Sequence, residues 1–412
     1  MPLVKPFKAL RPTKESAPSV ASPPYDVLSS EEAKELVKDN PHSFLRVNKP
    51  EVDFASGITP TAEEINEKGK ENLNLLISNG KLVQEKKEAL YLYRLTWQEK
   101  SQTGLACLCS VEDYVNGLIK KHENTRPSKV SDRLEHMLYL GAQVGPVFSI
   151  FEQNEDIESL FEKLTSSQSE IDFVARDDIR HQLWVIDNSD DTDAISDAFL
   201  GLDFFYIADG HHRSEAAYVA SKRMKAINPD HTGNETYNFF LNVIFPDSEL
   251  RILPYNRVVK DLKHDSLEQF LDSVSEFFLI ANSSEEVELD TLHQFGIYSQ
   301  GKWYKLTCKP ESFDENNPAN SIDSNILYEN LLKPILGIED IRTDSRIDFI
   351  GGIRGNKELV KLVDSGSWSV AFSLNPVSVK QLLNVANASE VMPPKSTWFE
   401  PKLRSGMVIN LF

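Results

Sequence analysis

The sequence predicts an α/β or α+β chain, a mixed β-sheet with flanking helices arranged in two lobes. Apolar runs of strand length alternate with amphipathic segments of helix length, but not in strict strand–helix–strand order, which favours a mixed sheet. The composition, 40% hydrophobic and 26% charged, is typical of a globular protein. A chain of 412 residues is large for a single core, which predicts two lobes, residues 1–235 and 236–412.

Prolines and glycines mark the boundaries of the N-terminal helices. The first 28 residues are proline-rich, and the prolines in Ser22-Pro23-Pro24-Tyr25-Asp26 push their predecessors toward extended geometry. Helices are predicted over residues 29–40, where Ser29 and Glu32 have capping-box spacing, and over residues 61–79, which Gly80 closes.

Strand patterns dominate the next segment. Residues 89–95 and the apolar run 105–111 show alternating patterns and predict paired strands, with Gly104 between them. Cys107 and Cys109 fall on one face of the second strand, where buried thiols are expected. Further elements are predicted at the following ranges: a helix at 131–140 and strands at 146–151, 181–187 and 204–208.

The clearest helix in the sequence covers residues 214–227 and follows directly on the strand at 204–208. The C-terminal third continues the mixture, with strands predicted near 242–245, 295–299 and 368–373 and helices near 266–278, 325–336 and 378–386.

Composition excludes several classes of protein. The formal net charge of -19 and a pI near 5.0 disfavour binding to the phosphate backbone of DNA or RNA, without excluding a small anion in a local basic pocket. Three cysteines without a Cys-x-x-Cys pair argue against a disulfide framework or structural zinc. The N-terminus lacks a secretory h-region and no apolar run reaches 18 residues, so we expect a cytoplasmic protein without a membrane partner.

The segment Asp209-Gly210-His211-His212-Arg213 is the strongest candidate site. An apolar strand ends at Asp209, Gly210 permits a tight turn, and a helix follows whose N-terminal amides and dipole favour an anion. Arg213 is suited to bidentate contact with a phosphate, and His211 or His212 to hydrogen bonding or proton transfer. The alternative is a plain strand–turn–helix with a solvated basic tip.

Roles in the site follow from these residue types. Asp209 is a candidate to accept a hydroxyl proton or to hold a metal ion, and Ser214 joins the phosphate-binding candidates. Adjacent histidines point apart and no third ligand is evident at metal spacing, so zinc is disfavoured and the metal ligands stay unknown. The sequence contains no Walker loop.

Two further segments supply candidate residues. Lys121, Glu123 and Arg126 belong to a stretch of concentrated charge, which predicts either a solvated loop or a second phosphate contact with Glu123 as base or metal ligand. Asp26 ends the stiff proline turn and is a catalytic candidate, with a purely structural turn as the alternative.

These motifs, in this order, resemble the family of proteins with domain of unknown function 1015 over nearly the whole chain. The segments that carry the resemblance are the Asp-Gly-His-His-Arg motif and residues 6–12, 21–27, 40–45, 121–126 and 393–397. The central motif is also similar to that of the ParB/sulfiredoxin-like superfamily, which implies a core of that type with residues 210–213 holding nucleotide phosphates.

The resemblance implies a nucleotide-dependent phosphotransferase that acts on a small hydroxylated metabolite, with free L-serine as the leading candidate, ATP or ADP as co-substrate and Mg²⁺ inferred. The glutamate that acts as base in the free-serine kinases does not align with a residue of this chain. Two alternatives stay open: a nucleotide-binding regulator of the ParB type, and a phosphatase-like hydrolase.

Overall fold

The computed structural model describes residues 1–55 and 57–412, which separate into two compact units. The first unit contains residues 1–121, 125–250 and 401–412, and the second contains residues 122–124 and 251–400. The lobe boundary expected after residue 235 differs from this division. Residues 236–250 group with the first unit because their strand is hydrogen-bonded on both sides within its sheet.

Helices of the first unit surround its sheet. They are α1 (Ala17–Val20), α2 (Ser30–Val37), α3 (Leu45–Asn48), α4 (Ala62–Ser78), α5 (Val111–Val115), α6 (Pro127–Leu140), α7 (Glu155–Thr165), α8 (Ser189–Phe199) and α9 (His211–Ile227). The predicted capping box of Ser29 with Glu32 begins α2, and a second capping box, Thr61 with Glu64, which was not predicted, begins α4. The helices at 155–165 and 189–199 were not predicted.

Strands of the first unit are short at its edges and long at its centre. They are β1 (Val4–Lys5), β2 (Leu10–Pro12), β3 (Leu82–Gln84), β4 (Leu90–Trp97), β5 (Lys100–Ser110), β6 (Ile119–Lys120), β7 (Ala142–Gln143), β8 (Val147–Phe151), β9 (Ile171–Val174), β10 (Arg180–Ile186), β11 (Phe205–Asp209) and β12 (Phe239–Pro246).

Nine of these strands form one sheet within the described residues, in the order β6-β11-β8-β12-β5-β4-β10-β9, with β1 also paired to β5. The β6–β11 and β8–β12 pairs are parallel and the others antiparallel. The predicted mixed sheet with flanking helices is therefore confirmed. This topology places the C-terminal end of β11 at the start of α9.

The β4–β5 hairpin confirms the predicted strand pair but corrects the position of its turn. Gln98 and Glu99, both with positive φ, make the turn, whereas Gly104 lies inside β5. A Cβ at Gly104 would come within 2.8 Å of the Phe245 ring, so this glycine makes room for packing from β12. Cys107 and Cys109 are fully buried on β5, as expected.

The second unit is built on a separate antiparallel sheet. Its strands are β13 (Ile252–Leu253), β14 (Tyr255–Val259), β15 (Phe278–Ser283), β16 (Gln294–Ser299), β17 (Lys302–Cys308), β18 (Ile347–Gly351), β19 (Val370–Leu374) and β20 (Trp398–Phe399). Its helices are α10 (Leu267–Val274), α11 (Asp323–Leu327), which continues as the π-turn Tyr328–Leu332, α12 (Gly355–Asp364) and α13 (Val379–Asn387). The sheet order is β15-β17-β16-β19-β14-β18.

The last twelve residues group with the first unit. Its final strand, β21 (Asn410–Leu411), pairs with β7, and the backbone of Ser405 exchanges hydrogen bonds with that of Ser22. In the described part of the chain, none of the helices combines the length and apolar character that a membrane crossing requires.

Candidate functional site

The turn between β11 and α9 depends on Gly210. Its φ of 103° lies in the left-handed region, which glycine adopts at little cost. A Cβ here would also come within 3.0 Å of the Arg213 guanidinium. The helix begins at His211 and not at residue 214, because the Gly210 carbonyl already accepts the N–H groups of Arg213 and Ser214, at 2.8 and 3.1 Å.

This early start separates the side chains of the motif. Successive helix positions are about 100° apart, so the side chains of His211, His212 and Arg213 leave the helix in different directions. His211 is buried, whereas His212 is half-buried and its Nε2 accepts the Arg126 N–H at 3.0 Å. The Ser214 hydroxyl is buried and donates a hydrogen bond to the His211 carbonyl at 3.0 Å. This bond stabilises the first turn of the helix.

Arg213 is held over the turn by three contacts. Its Nη1 donates to the Pro146 carbonyl, its Nη2 lies 3.6 Å from Asp209, and its Cδ packs where a side chain at residue 145 would begin. The Arg213 side chain is 17% exposed. A guanidinium fixed in this way is oriented before any anion arrives, so less conformational entropy is lost on binding.

The Asp209 carboxylate contacts a second cation as well. The Lys402 ammonium lies 3.3 Å from its Oδ2, so two positive groups surround one carboxylate. Both contacts place positive charge beside the Asp209 carboxylate, and the contact with Arg213 restricts the direction of that guanidinium. Sequence reasoning missed Lys402, which is 193 residues away along the chain and carries no local signal.

The proline turn brings Asp26 to the same region. Pro24 is extended, and residues Tyr25–Val27 form one 3-10 turn that leaves Asp26 exposed. The Arg133 guanidinium carbon lies 4.1 Å from the centroid of the Tyr25 ring. Burial raises the pKa of Tyr25, Arg133 and Arg213 lower it, and Asp26 and Asp132 raise it, so four charged groups lie near this phenol.

A cavity with about 40 Å³ of space for the centres of water-sized molecules joins these groups. The charged side chains among its lining residues are Asp26, Arg133 and Arg213. Sequence reasoning did not single out Arg133 or His136, which also lines the cavity. Their spacing on α6 is the available signal, since residues three apart share a helix face.

The remaining candidates lie elsewhere. The Lys121 ammonium lies 5.7 Å from the centroid of the Tyr114 ring, and Arg126 precedes the first residue of α6, where its backbone meets His212. Neither lines the cavity. Glu123 belongs to the short segment that groups with the second unit.

The described residues do not offer a preformed metal site: no group of three or more histidines, cysteines and carboxylates is close enough to hold an ion. At the β11–α9 turn, two cations already surround the one carboxylate of Asp209. These side chains do not fit a resident Mg²⁺.

Several solved structures share a distant likeness with this chain. A free serine kinase in complex with AMP is 11% identical with a TM-score of 0.38, covering 74% of this chain and 91% of its own. SbnI from Staphylococcus aureus, truncated at its C-terminus, is 10% identical with a TM-score of 0.39, covering 74% and 87%. A conserved hypothetical protein from Pyrococcus furiosus is 12% identical with a TM-score of 0.35, covering 75% and 95%.

No curated protein matches the chain. A family profile described as a protein of unknown function, DUF1015, matches residues 4–328, and this chain therefore belongs to that family.

Proposed function

We propose that this protein is a nucleotide-dependent phosphotransferase that acts on a small hydroxylated metabolite, with free L-serine as the leading acceptor and ATP or ADP as the donor. One observation carries the proposal: the guanidiniums of Arg133 and Arg213 and the carboxylate of Asp26 line one cavity. Phosphoryl transfer needs cations around the transferred group and a base near the acceptor hydroxyl, and this cavity offers both types of group.

Arg213 is the proposed phosphate contact. It lies in the first turn of α9, where the helix dipole adds partial positive charge. Its contacts with Pro146 and Asp209 fix the direction of the guanidinium. Charge that develops on the transferred group would thus meet a cation already in place, which is the efficient form of electrostatic stabilisation.

Asp26 is the proposed base. It is exposed at the cavity and makes no ion pair with another described residue, in contrast to Asp209. In the proposed step, the acceptor hydroxyl oxygen bonds to the terminal phosphorus and the bond from that phosphorus to the bridging oxygen breaks. The hydroxyl proton passes to Asp26, and the nucleotide leaves one phosphate shorter. The proposal assigns Mg²⁺ to the nucleotide phosphates and not to a protein site.

Incubation of the protein with ATP or ADP, Mg²⁺ and L-serine should yield phosphoserine. Replacing Arg213 with alanine should lower kcat/KM about 100- to 1000-fold, the usual effect of removing one preorganised contact to developing charge. Asp26→Asn should lower kcat more than it raises KM. Arg223, an exposed arginine of the same helix, is the matched control, and Arg223→Ala should leave turnover unchanged.

The proposal fails if no phosphorylated product forms across a panel of hydroxylated amino acids with either nucleotide. Hydrolysis of nucleotide without an acceptor would favour the regulatory alternative. Release of phosphate from p-nitrophenyl phosphate without nucleotide would favour the hydrolase.

A further inference from the structure

The wall of the cavity formed by α3 and α6 carries two buried polar side chains. Asn48, the last residue of α3, and His136, on α6, are each 4% exposed, and both line the cavity. The two are adjacent, because Nε2 of His136 lies 2.9 Å from the carbonyl oxygen of Val47. Neither side chain belongs to the phosphate contacts proposed above.

His136 presents a hydrogen-bond acceptor. Burial, followed by the nearby charge of Arg133, lowers the pKa of His136 to about 4, so the ring is neutral near pH 7. Its contact with the Val47 carbonyl requires the proton on Nε2. The Nδ1 lone pair is therefore the group that remains to accept a hydrogen bond.

Asn48 presents one donor and one acceptor. In the described part of the chain, its side-chain amide makes no hydrogen bond, although the residue is almost fully buried. The amide faces the cavity, where its carbonyl oxygen and its amino group are available to pair with a donor and an acceptor of a ligand.

Apolar side chains also belong to the cavity lining. Met137, Val144 and Phe240 also line the cavity and are buried and apolar. An apolar slot with a few fixed polar groups is the usual form of a small-molecule site.

We propose that Asn48 and His136 recognise an adenine ring. The Asn48 amide would pair with the N6 amino group and N7, the geometry in which asparagine reads adenine elsewhere, and Nδ1 of His136 would accept the second N6 hydrogen. Hypoxanthine and guanine place a carbonyl oxygen at this position, where it would face an acceptor. This inference rests on the proposed function, since it names the base of the nucleotide whose phosphates Arg213 contacts.

Isothermal titration with ADP, inosine diphosphate and pyrophosphate tests the proposal. Wild type should prefer ADP over inosine diphosphate by roughly 5- to 150-fold, the discrimination expected of one bidentate pair. Asn48→Ala should reduce this preference to the part that His136 supplies and leave pyrophosphate affinity unchanged. Arg213→Ala should weaken both nucleotides and pyrophosphate together and keep the preference.

Asn66 supplies the matched control. It is another buried asparagine, 8% exposed, that does not line the cavity, and Asn66→Ala should bind all three ligands as wild type does. Asn48→Asp, which keeps the shape and exchanges the donor for an acceptor, covers the case in which the alanine variant does not fold.

Equal affinity for ADP and inosine diphosphate in the wild type would overturn the adenine proposal, and so would a parallel loss of ADP and pyrophosphate affinity in Asn48→Ala. Phosphoserine formation without discrimination between bases would refute the adenine site and keep the phosphotransferase. Discrimination between bases without any phosphoryl transfer would keep the adenine site and refute the phosphotransferase.

Discussion

His181 and His136 are buried histidines of the first unit that the fold holds in the neutral form. Burial and the positive charge of Arg404 lower the pKa of His181 to about 3, and burial and Arg133 lower that of His136 to about 4. His181 is fully buried between Tyr93, whose hydroxyl is 2.9 Å from its Nδ1, and Arg404, whose Nε donates to its Nε2. At this scale, burial is the largest cause that keeps both imidazoles neutral, and the neighbouring arginines add to it.

Stability should therefore fall as the pH decreases below about 6.5. In that range the unfolded imidazoles, with an ordinary pKa of 6.5, bind protons that the folded ones exclude. Each histidine should cost about 1.4 kcal/mol per pH unit, until about pH 4 for His136 and about pH 3 for His181. Urea unfolding of wild type, His181→Gln and His136→Gln at several pH values measures the slopes.

Each single variant should lose about one histidine's share of the slope between pH 6 and 4.5. Between pH 7 and 8 the imidazoles are neutral in both states, so all three proteins should show the same slope there. Variant slopes equal to the wild-type slope below pH 6 would contradict the assignment of these low pKa values.

At the scale of elements, Gly210 in the β11–α9 turn meets two structural requirements at once. Gly210 must adopt positive φ, and it must leave room for the Arg213 guanidinium that folds back across it. The sequence correctly marks the glycine turn. It misplaces the helix start by three residues, because no side chain caps α9 and the Gly210 carbonyl does so instead.

Replacing Gly210 with alanine should affect both requirements, and each effect can be measured separately. The left-handed conformation should cost about 1–2 kcal/mol of folding stability. The new methyl group should also push the Arg213 guanidinium out of its position and break its contacts with Pro146 and Asp209. Pyrophosphate affinity should then be lost. Chemical denaturation and titration calorimetry measure the two effects.

Gly233 is the control for this variant. Its φ is +96°, and a Cβ there would meet no atom within 4 Å. Gly233→Ala should lose similar stability and keep its pyrophosphate affinity. Equal pyrophosphate binding by both variants would show that Arg213 does not need the space above Gly210.

At the scale of the whole molecule, the C-terminal residues complete the first unit. Arg404 reaches buried His181 and exposed Asp177, and Gln102 donates to the Pro401 carbonyl at 3.2 Å. Ser405 lines the cavity. Residues 401–412 thus contact and stabilise the elements of the first unit.

Arg404→Ala should therefore destabilise the first unit by about 2–3 kcal/mol, since it removes charged hydrogen bonds at a side chain only 7% exposed. Deletion of residues 401–412 should cost more, because strand β21 is lost as well. Arg180→Ala, which removes a surface pair with Asp172, should cost under about 1 kcal/mol. Urea denaturation of the three variants checks this order, and a deletion as stable as wild type would contradict it.

More of the fold than of the candidate site could be predicted from the sequence. The mixed sheet, the capping boxes of α2 and α4 and the strand before residue 209 follow from local patterns of polarity and capping, which a sequence displays directly. The helices at 155–165 and 189–199 were not predicted, although both begin with an asparagine cap. Their apolar faces were not recognised among many acidic residues.

The sequence by itself determined the fold class, the family and the motif at residues 209–213, because these depend on residue types at short spacing. The tertiary structure decided that Asp26, Arg133 and Arg213 share a cavity, that Lys402 contacts Asp209, and that Asn48 stands beside His136. These residues are separated by tens to nearly two hundred positions. Their proximity is set by strand order and helix packing, which local polarity does not encode.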